Sequence, residues 1–452
     1  MAGIGFDLRR LCVEEQGIFG RFRAYATAGL VAAGPWLVTM ASLWLVRLVG
    51  GWFELEGVDR FLALASLVFA ASLVTTGGLQ MAATRWLADT LYRGSYGALV
   101  PAFANLFVVV GVVQALTGGA GCLLLGLELE LVLPVTLLYV AVSLSWLAFV
   151  WLSLIRQHDK ILFTFAIGGA VFLAVLFVLG RAATLPALLW AYALSNCFVV
   201  AVLAVLVLRG TEAPDEGATA QLRGLLRHRL LWWVGTAYAV SLWADKFVFW
   251  WSDGVVNVDG VPSHPLYDTC FYLAYASVVP AMALNLIHIE TDFYERYRGF
   301  YGAVEGHSTL ADIRARGEEL RRSLERAAGV LLRSQGAVTF VCFWFAPQLA
   351  ELAGLPPFAA HTLRLALLGA FCHVLLLLTI LVLLYFDRRR AALRTTALFL
   401  IANVFLALAS VAAGPSTYGL GYAVAGLGAL VWGVFELRAT LDRIDYVTFA
   451  QQ

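Results

Sequence analysis

Apolar residues follow one another along this chain in long runs, instead of alternating as in a half-buried strand. A run of about 18 or more apolar residues is long enough to cross a membrane as a helix. Twelve such runs predict an all-α integral membrane protein with about 12 transmembrane helices. The predicted spans are residues 25–49, 61–83, 98–126, 131–155, 161–179, 184–208, 230–251, 267–289, 327–350, 359–386, 391–413 and 418–435.

Cationic residues lie almost entirely on one side of these spans. The segments on that side hold 25 of the 31 Lys and Arg residues. They are residues 1–24, 84–97, 156–160, 209–229, 290–326, 387–394 and 436–452. Short loops rich in Lys and Arg stay on the cytoplasmic side of a membrane. The sequence therefore predicts a multi-pass membrane protein with both termini in the cytoplasm.

Composition supports the membrane interpretation. The chain is 61% hydrophobic and 13% charged over 452 residues, whereas soluble domains are about 25% charged. The net charge of +1 does not predict a nucleic-acid partner. The six cysteines have no C-x-x-C spacing, so we expect no metal site, no disulfide framework and no cofactor.

A short motif occurs twice, 205 residues apart. Residues 92–99 read YRGSYGAL and residues 297–304 read YRGFYGAV, each after the second span of a set of six. This placement predicts two six-helix lobes related by a parallel duplication. A substrate path is expected at the seam between such lobes.

The duplication defines the predicted organisation of the chain. Its parts are an interfacial N-terminal segment 1–24, an N-lobe 25–208, a cytoplasmic linker 209–229, a C-lobe 230–440 and a cytoplasmic tail 441–452. Within the C-lobe, residues 290–326 are predicted to form a cytoplasmic amphipathic helix, lying on the membrane or on a partner. Thr309 with Asp312 is typical of a helix start, and Glu318 with Arg322 forms a favourable i,i+4 pair.

Three residues near the middle of spans predict kinks. Gly34 and Pro35 lie in span one, and Pro280 lies in span eight. Proline removes a backbone donor and bends a helix. Such bends suit helices that move during alternating access, although proline is also simply tolerated in membrane helices.

Ionisable residues inside the spans form a sparse layer near their outer ends. Arg47, Lys246 and Arg364 lie there with Asp245 and Asp268. An ionised group in lipid costs roughly 2.5–3.5 kcal/mol on insertion scales, so these residues predict either interhelical ion pairs or the lining of a water-filled substrate path.

Asp245 and Lys246 are adjacent on one predicted helix. Side chains at i and i+1 point about 100° apart, so we expect them to be poor partners for each other. Lys246 can instead lie over Trp243 or Trp250, while Asp245 requires a cation such as Arg47 or Arg364. The ring of Trp243 also suits a sugar face.

The cytoplasmic end of span eight carries acidic and aromatic side chains. Glu290, Asp292, Tyr294 and Tyr297 could receive an emerging sugar chain, and interfacial anchoring explains them equally well. Arg321 and Arg322 lie on the amphipathic segment, where we expect a partner to dock.

Catalytic signatures are absent from the sequence. It contains no phosphate-binding G-x-x-x-x-G-K-[ST], no H-E-x-x-H and no G-x-S-x-G. His373, deep in an apolar span, reads either as an acyl-transfer base or as a structural histidine bonded to a neighbouring helix. We therefore predict no enzymatic activity and no catalytic residue.

Four stretches together resemble the PelG family of bacterial Pel exopolysaccharide export. They are MAGIGFDLRRL (1–11), AYATAGLVAAGPWL (24–37), ADKFVFWW (244–251) and IETDFYERYRGFYGA (289–303). The resemblance implies a fold of the multidrug/oligosaccharidyl-lipid/polysaccharide (MOP) flippase superfamily, with two six-helix lobes around a cavity. It also implies export of a hexosamine polymer beside a cytoplasmic glycosyltransferase and further membrane subunits.

Two other functions stay open on the sequence. A small-molecule secondary transporter would share the two-lobe plan but needs a compact site and a coupling ion. A membrane-embedded glycosyl- or acyltransferase would need a catalytic acid or base, for which His373 is the candidate.

Overall fold

The computed structural model describes residues 18–154, 158–210, 224–225, 227–252, 257–306 and 308–444. These residues are almost entirely helical, as the sequence predicts. Most of the predicted N-terminal segment 1–24 lies outside the described residues, as do most of the linker 209–229 and of the tail 441–452.

Seven long helices form the first part of the described chain. They are α1 (Ile18–Phe53), α2 (Val58–Tyr92), α3 (Leu99–Leu124), α4 (Leu129–Leu154), α5 (His158–Leu179), α6 (Leu185–Arg209) and α7 (Arg229–Trp250). A two-stranded antiparallel hairpin of β1 (Asn257–Val258) and β2 (Val261–Pro262) follows, with Asn257 opposite Pro262.

Eight helices form the rest. They are α8 (Pro265–Ala276), α9 (Val279–Ile287), α10 (Tyr294–Glu305), α11 (Leu310–Trp344), α12 (Ala346–Leu352), α13 (Ala359–Tyr385), α14 (Arg389–Ala413) and α15 (Leu420–Leu441). A π-helical turn, His288–Phe293, joins α9 to α10.

Eleven stretches of the described chain are helical, long and apolar enough to cross a membrane, with α8 to α10 counted as one. Helix α7 is not among them, because its tryptophans, Asp245 and Lys246 lower its mean hydropathy. Its 22 residues nevertheless extend about 33 Å, enough for a hydrocarbon core of about 30 Å. With α7 included, the helices match the twelve predicted spans.

The helices group into two compact units. Unit 1 comprises residues up to Ala33 and from Leu266 onward, and unit 2 comprises Gly34–Pro265. The predicted lobes divide the chain by sequence order, whereas these units are divided by the contacts between residues. Helix α7 therefore belongs to unit 2, and the first part of α1 belongs to unit 1. The division within α1 falls beside Pro35, at the predicted kink, although the helix continues through it.

Glycines allow α2 and α7 to cross closely within unit 2. A Cβ on Gly78 would lie 2.8 Å from the Trp232 carbonyl oxygen, and one on Gly235 would lie 2.8 Å from the Met81 Cβ. Close approach of backbones through small residues is typical of membrane helices. The crossing fixes the position of α7, which carries Asp245 and Lys246, against the buried face of α2.

The two copies of the repeated motif adopt different structures. In the first, α2 ends at Tyr92 and Gly94 has φ of +73°, which begins a turn before α3. The second stays helical in α10, and its single internal mismatch places a fully buried Phe300 where the first copy has Ser95. Phe300 packs against Gly317 of α11, 3.3 Å from the position of a Cβ there.

Residues 310–326 of the predicted amphipathic segment are helical, as predicted, and they form the first half of α11, a continuous 35-residue helix that runs on into span nine. The apolar stripe of that half, including Ile313, Leu320 and Leu324, is buried, because it packs within unit 1 against α10. The predicted helix start is confirmed, since the Asp312 backbone N–H donates to Thr309 Oγ1 at 3.2 Å.

Span eight is interrupted where Pro280 was predicted to bend it. Helix α8 ends at Ala276 and α9 begins at Val279, with Pro280 in its first turn. The Gln335 side chain of α11 donates to the Ser277 carbonyl at 3.2 Å and to Thr339 Oγ1 at 3.2 Å. A fully buried amide therefore stabilises the interruption.

Gly78→Ala should destabilise the protein by about 1–3 kcal/mol, because the new methyl group meets the α7 backbone. We expect a lower thermal transition in detergent, read by size-exclusion chromatography after heating. Gly428→Ala, in the interior of α15 with no atom within 4 Å of the new Cβ, is the control and should be neutral. Equal stability of both variants would refute the close crossing.

Candidate functional site

Asp245 and Lys246, on α7 of unit 2, are both buried. Their exposed fractions are 0% and 3%. Lys246 Nζ lies 3.2 Å from Asp245 Oδ2, so the expectation that these neighbours are poor partners is wrong. The long Lys246 side chain folds back along α7, where it also donates to the Leu242 carbonyl at 3.4 Å. The result is a buried ion pair with no net charge.

Trp243 completes this cluster. Its ring centroid lies 5.7 Å from Lys246 Nζ, which confirms the predicted cation–π contact. The Trp250 ring packs against Trp243 at 6.0 Å and is itself buried. The cluster of Trp243, Asp245 and Lys246 thus offers an aromatic face beside two ionic groups.

One titratable residue, His264, follows the β-hairpin and lies near the end of α7. His264 meets Phe249 edge-on, with centroids 5.7 Å apart. Burial lowers the pKa of His264, because it disfavours the charged imidazolium.

The predicted cationic partners of Asp245 are engaged elsewhere. Arg47 lies 4.0 Å from Asp59, with both side chains largely exposed, which is a weak surface pair. Arg364 of unit 1 donates to the Phe343 carbonyl at 3.2 Å and lies over the Phe343 ring at 5.3 Å. Asp268, also in unit 1, is buried on α8.

Asp292 is the acceptor that joins α10 to α11. Its carboxylate accepts from Ser323 Oγ at 2.8 Å, from Arg296 Nε at 3.1 Å and from Arg326 at 3.4 Å. Arg296 also lies 3.6 Å from Glu319. Asp292, which was predicted to lie at the cytoplasmic mouth, therefore stabilises the packing of α10 against α11 within unit 1.

The other predicted mouth residues occupy the same end of unit 1. Glu290 lies in the π-helical turn, and Tyr294 is half-buried. Tyr297 donates through its hydroxyl to the Tyr385 carbonyl at 2.9 Å. A π-helical turn is common at functional sites, and here it joins α9 to α10.

Ion pairs order the exposed face of α11. Arg322 pairs with Glu318 at 3.2 Å, which confirms the predicted i,i+4 pair. Arg321 pairs with Glu325 at 3.1 Å and reaches Asp442 at 3.4 Å. The arginines expected to dock a partner are therefore held in an ordered array of alternating charge.

The interpretation of His373 as a histidine that is hydrogen-bonded to a neighbouring helix is confirmed. Its Nδ1 lies 3.0 Å from the hydroxyl of Tyr422 on α15, and that hydroxyl is also hydrogen-bonded to Tyr275. The interaction joins α8, α13 and α15 within unit 1. Among the described residues there is no group of three His, Cys, Asp or Glu that could hold a metal ion.

Sequence reasoning missed a polar network in unit 2. Gln114 Nε2 donates to Thr75 Oγ1 at 3.0 Å, and Thr75 Oγ1 lies 3.0 Å from the Tyr139 hydroxyl. The network joins α2, α3 and α4. Its signal in the sequence is one amide, Gln114, in the otherwise apolar run 106–116.

Comparison with protein families gives a match over nearly the whole chain. The model of the PelG family, described as an exopolysaccharide exporter (EPS-E), matches residues 1–449. No curated protein matches the chain.

Solved structures with a similar fold are transporters. An outward-facing "multidrug resistance MATE family transporter of the MOP superfamily" aligns with a TM-score of 0.63 at 15% identity, over 93% of this chain and 96% of its own. A MATE structure in complex with MaL6 gives 0.65 at 15% identity, over 93% and 97%. A MOP superfamily transporter from Pyrococcus furiosus gives 0.62 at 16% identity, over 92% and 96%. At these identities the likeness establishes the fold, which is that of MOP transporters.

Asp245→Asn should destabilise the protein by about 3–5 kcal/mol, because it removes one partner of the buried ion pair with Lys246. The double variant Asp245→Asn/Lys246→Met removes both charges and should regain most of that loss. Thermal melting of both variants in the same detergent measures the difference. A double variant no more stable than the single one would show that the pair is not the dominant interaction of these two groups.

Proposed function

The chain belongs to the PelG family of exopolysaccharide exporters, and from that premise we propose that it moves a hexosamine polymer from the cytoplasm to the periplasm. The family match over residues 1–449 is the observation that carries the proposal. The MOP transporter fold supports it, because this fold belongs to proteins that pass substrates through a membrane.

We infer that the cluster of Trp243, Asp245 and Lys246 belongs to the substrate path. Charges within a membrane protein are costly and usually mark functional sites. The paired carboxylate and ammonium give hydrogen-bonding groups without net charge, and the indole of Trp243 suits the apolar face of a sugar ring. We propose three further residues of the substrate path, because they lie at a similar depth in their spans: Arg47, Arg364 and Asp268.

Polymer synthesis is assigned to other proteins. We propose that this chain has no enzymatic activity and works beside a cytoplasmic glycosyltransferase and further inner-membrane subunits. The family supports an inner-membrane location, and the arginine distribution supports both termini in the cytoplasm.

The docking surface proposed for the glycosyltransferase comprises residues 84–97 and 290–326. Its ordered charges on α11, such as the pairs of Arg321 and Arg322, suit recognition of a protein surface with complementary charge. Glu290, Asp292, Tyr294 and Tyr297 lie at the same end of span eight, where a polymer leaving the synthase would enter.

Removing the chain from cells that make the polymer should leave polymer in the cytoplasm and none in the periplasm. Fractionation followed by sugar analysis measures both pools, with the intact strain as control. Unchanged periplasmic polymer would contradict the export function.

The double variant Asp245→Asn/Lys246→Met should abolish most secretion while the protein stays abundant in the membrane, because the path loses its ionic groups. Glu436→Gln is the matched control, since Glu436 is also a buried carboxylate, paired with Arg394 at 2.8 Å. Secreted polymer is measured against membrane-fraction protein. Normal secretion by the double variant would remove this cluster from the path.

Charge reversal of Arg321 and Arg322 to Glu should reduce co-purification of the glycosyltransferase several-fold. The swap Glu318→Arg/Arg322→Glu keeps the ion pair within α11 but exchanges its charges, so it separates helix stability from recognition. Partner recovered at normal yield from the reversed variant would show that docking occurs elsewhere.

A further inference from the structure

Two exposed tyrosines lie in the first copy of the repeated motif, at the end of α2 that is predicted to face the cytoplasm. Tyr92 is the last residue of α2 and is 90% exposed, and Tyr96 is 50% exposed. In the part of the chain that the structure describes, neither ring packs against another aromatic ring and neither hydroxyl has a hydrogen-bond partner. We call residues 92–96 the tyrosine turn.

Anchoring in the membrane interface does not explain the exposure of Tyr92. The uncharged part of α2 ends at Thr84, eight residues before Tyr92. Eight helical residues extend about 12 Å, whereas the headgroup layer on each side of a bilayer is about 5–8 Å thick. Tyr92 therefore projects past the headgroups, beyond the depth at which tyrosines form an aromatic belt.

The second copy of the motif shows what the same side chains pack against in unit 1. Tyr297 and Tyr301, the counterparts of the two exposed tyrosines, have ring centroids 4.6 Å apart. Tyr297 covers the C-terminal end of α13, where its ring lies 6.0 Å from that of Phe386 and its hydroxyl donates to the Tyr385 carbonyl at 2.9 Å. The last carbonyls of a helix have no partner within the helix, so this hydroxyl satisfies a group that the helix end leaves open.

The charge of the tyrosine turn also suits the C-terminal end of a helix. Arg93 is exposed and has no ion pair within the described chain, and the nearby Asp89 is already paired with Arg85 at 3.0 Å. A helix C-terminus carries a partial negative charge, so a cation beside it is stabilising. The turn thus combines hydroxyl donors, aromatic rings and a positive charge, and a helix end can engage all three.

We propose that the tyrosine turn docks the C-terminal end of a helix of the cytoplasmic glycosyltransferase, one that carries an apolar residue in its last turn. The hydroxyls of Tyr92 and Tyr96 donate to the last carbonyls of that helix, and their rings pack against its apolar residue. Arg93 lies beside its negative end. This inference rests on the proposed partnership with the glycosyltransferase.

The two copies of the motif then have different roles. The copy in α10 is occupied by the end of α13, so it stabilises unit 1 and is not available to another protein. The docking surface proposed over residues 84–97 and 290–326 therefore has its aromatic anchors in the first of these segments. Tyrosine and arginine are common among the few residues that carry most of the binding energy of an interface.

Site-specific photocrosslinking tests the contact in cells that make both full-length proteins. A benzophenone amino acid replaces Tyr92, and the crosslinked product is purified through this chain and identified by mass spectrometry. We expect a crosslink to the glycosyltransferase, at a peptide that includes the last turn of a helix. The same amino acid in place of Trp52 is the control, because Trp52 is 68% exposed at the other end of the spans and should give no such product.

Co-purification of the glycosyltransferase measures the size of the effect. Tyr92→Ser/Tyr96→Ser should reduce its recovery about tenfold, as expected for the loss of interface anchors. Tyr297→Phe is the matched control in the other copy: it removes the bond to the Tyr385 carbonyl, so it should lower the thermal transition and leave partner recovery unchanged. If the double variant fails to fold, Tyr92→Ser alone decides the result, because Tyr92 is almost fully exposed.

Normal recovery of the glycosyltransferase by a folded Tyr92→Ser/Tyr96→Ser variant would overturn the tyrosine turn and leave the partnership in place. Crosslinks from position 92 to lipid alone, to a second copy of this chain, or to a glycosyltransferase peptide without a helix end would overturn it as well. If the unmodified chain recovers no glycosyltransferase, the partnership is wrong and the docking role falls with it. Export is tested separately, by the location of the polymer in cells.

Discussion

The crossing of α2 and α7 is the constraint on which the arrangement of unit 2 depends. Gly77, Gly78 and Gly235 bring the two backbones so close that a single added methyl group would meet the opposite chain. Helix α7 carries Asp245 and Lys246 within its span, and both are buried. The crossing holds this helix against α2.

Two kinds of polar site result in unit 2. The cluster on α7 is a buried ion pair beside an indole ring. The network of Thr75, Gln114 and Tyr139 between α2, α3 and α4 contains no carboxylate, amine or imidazole. Each places polar groups in an otherwise apolar part of the unit.

Much of the fold could be predicted from the sequence, because the length of an apolar run fixes the length of a membrane helix. The twelve spans, the helix start at Thr309 and the pair of Glu318 with Arg322 were all evident. The contact of Lys246 with Asp245 was not, since helix geometry gives the direction of a Cβ and not the path of a long flexible side chain. The two copies of the repeat also differ, because a buried Phe300 holds the second copy helical and Gly94 turns the first.

The candidate site was harder to predict than the fold. Charged residues could be found in the sequence because placing them in lipid costs much free energy, which makes them a strong signal. Gln114 and Thr75 were overlooked, because the free-energy cost of placing them in lipid is small. Which polar residues share one network depends on the rotation of three helices about their axes, and hydropathy does not fix that rotation.

Helix α11 has a mechanical consequence. Its 35 residues run without a proline from Leu310 to Trp344, a length of about 52 Å, well beyond a hydrocarbon core of about 30 Å. A rod of this kind moves as one body, so tilting of its charged end displaces the opposite end, where Phe343 holds Arg364. A partner that docked on the charged end, as proposed above, would therefore be joined to movement inside the bilayer through one stiff element.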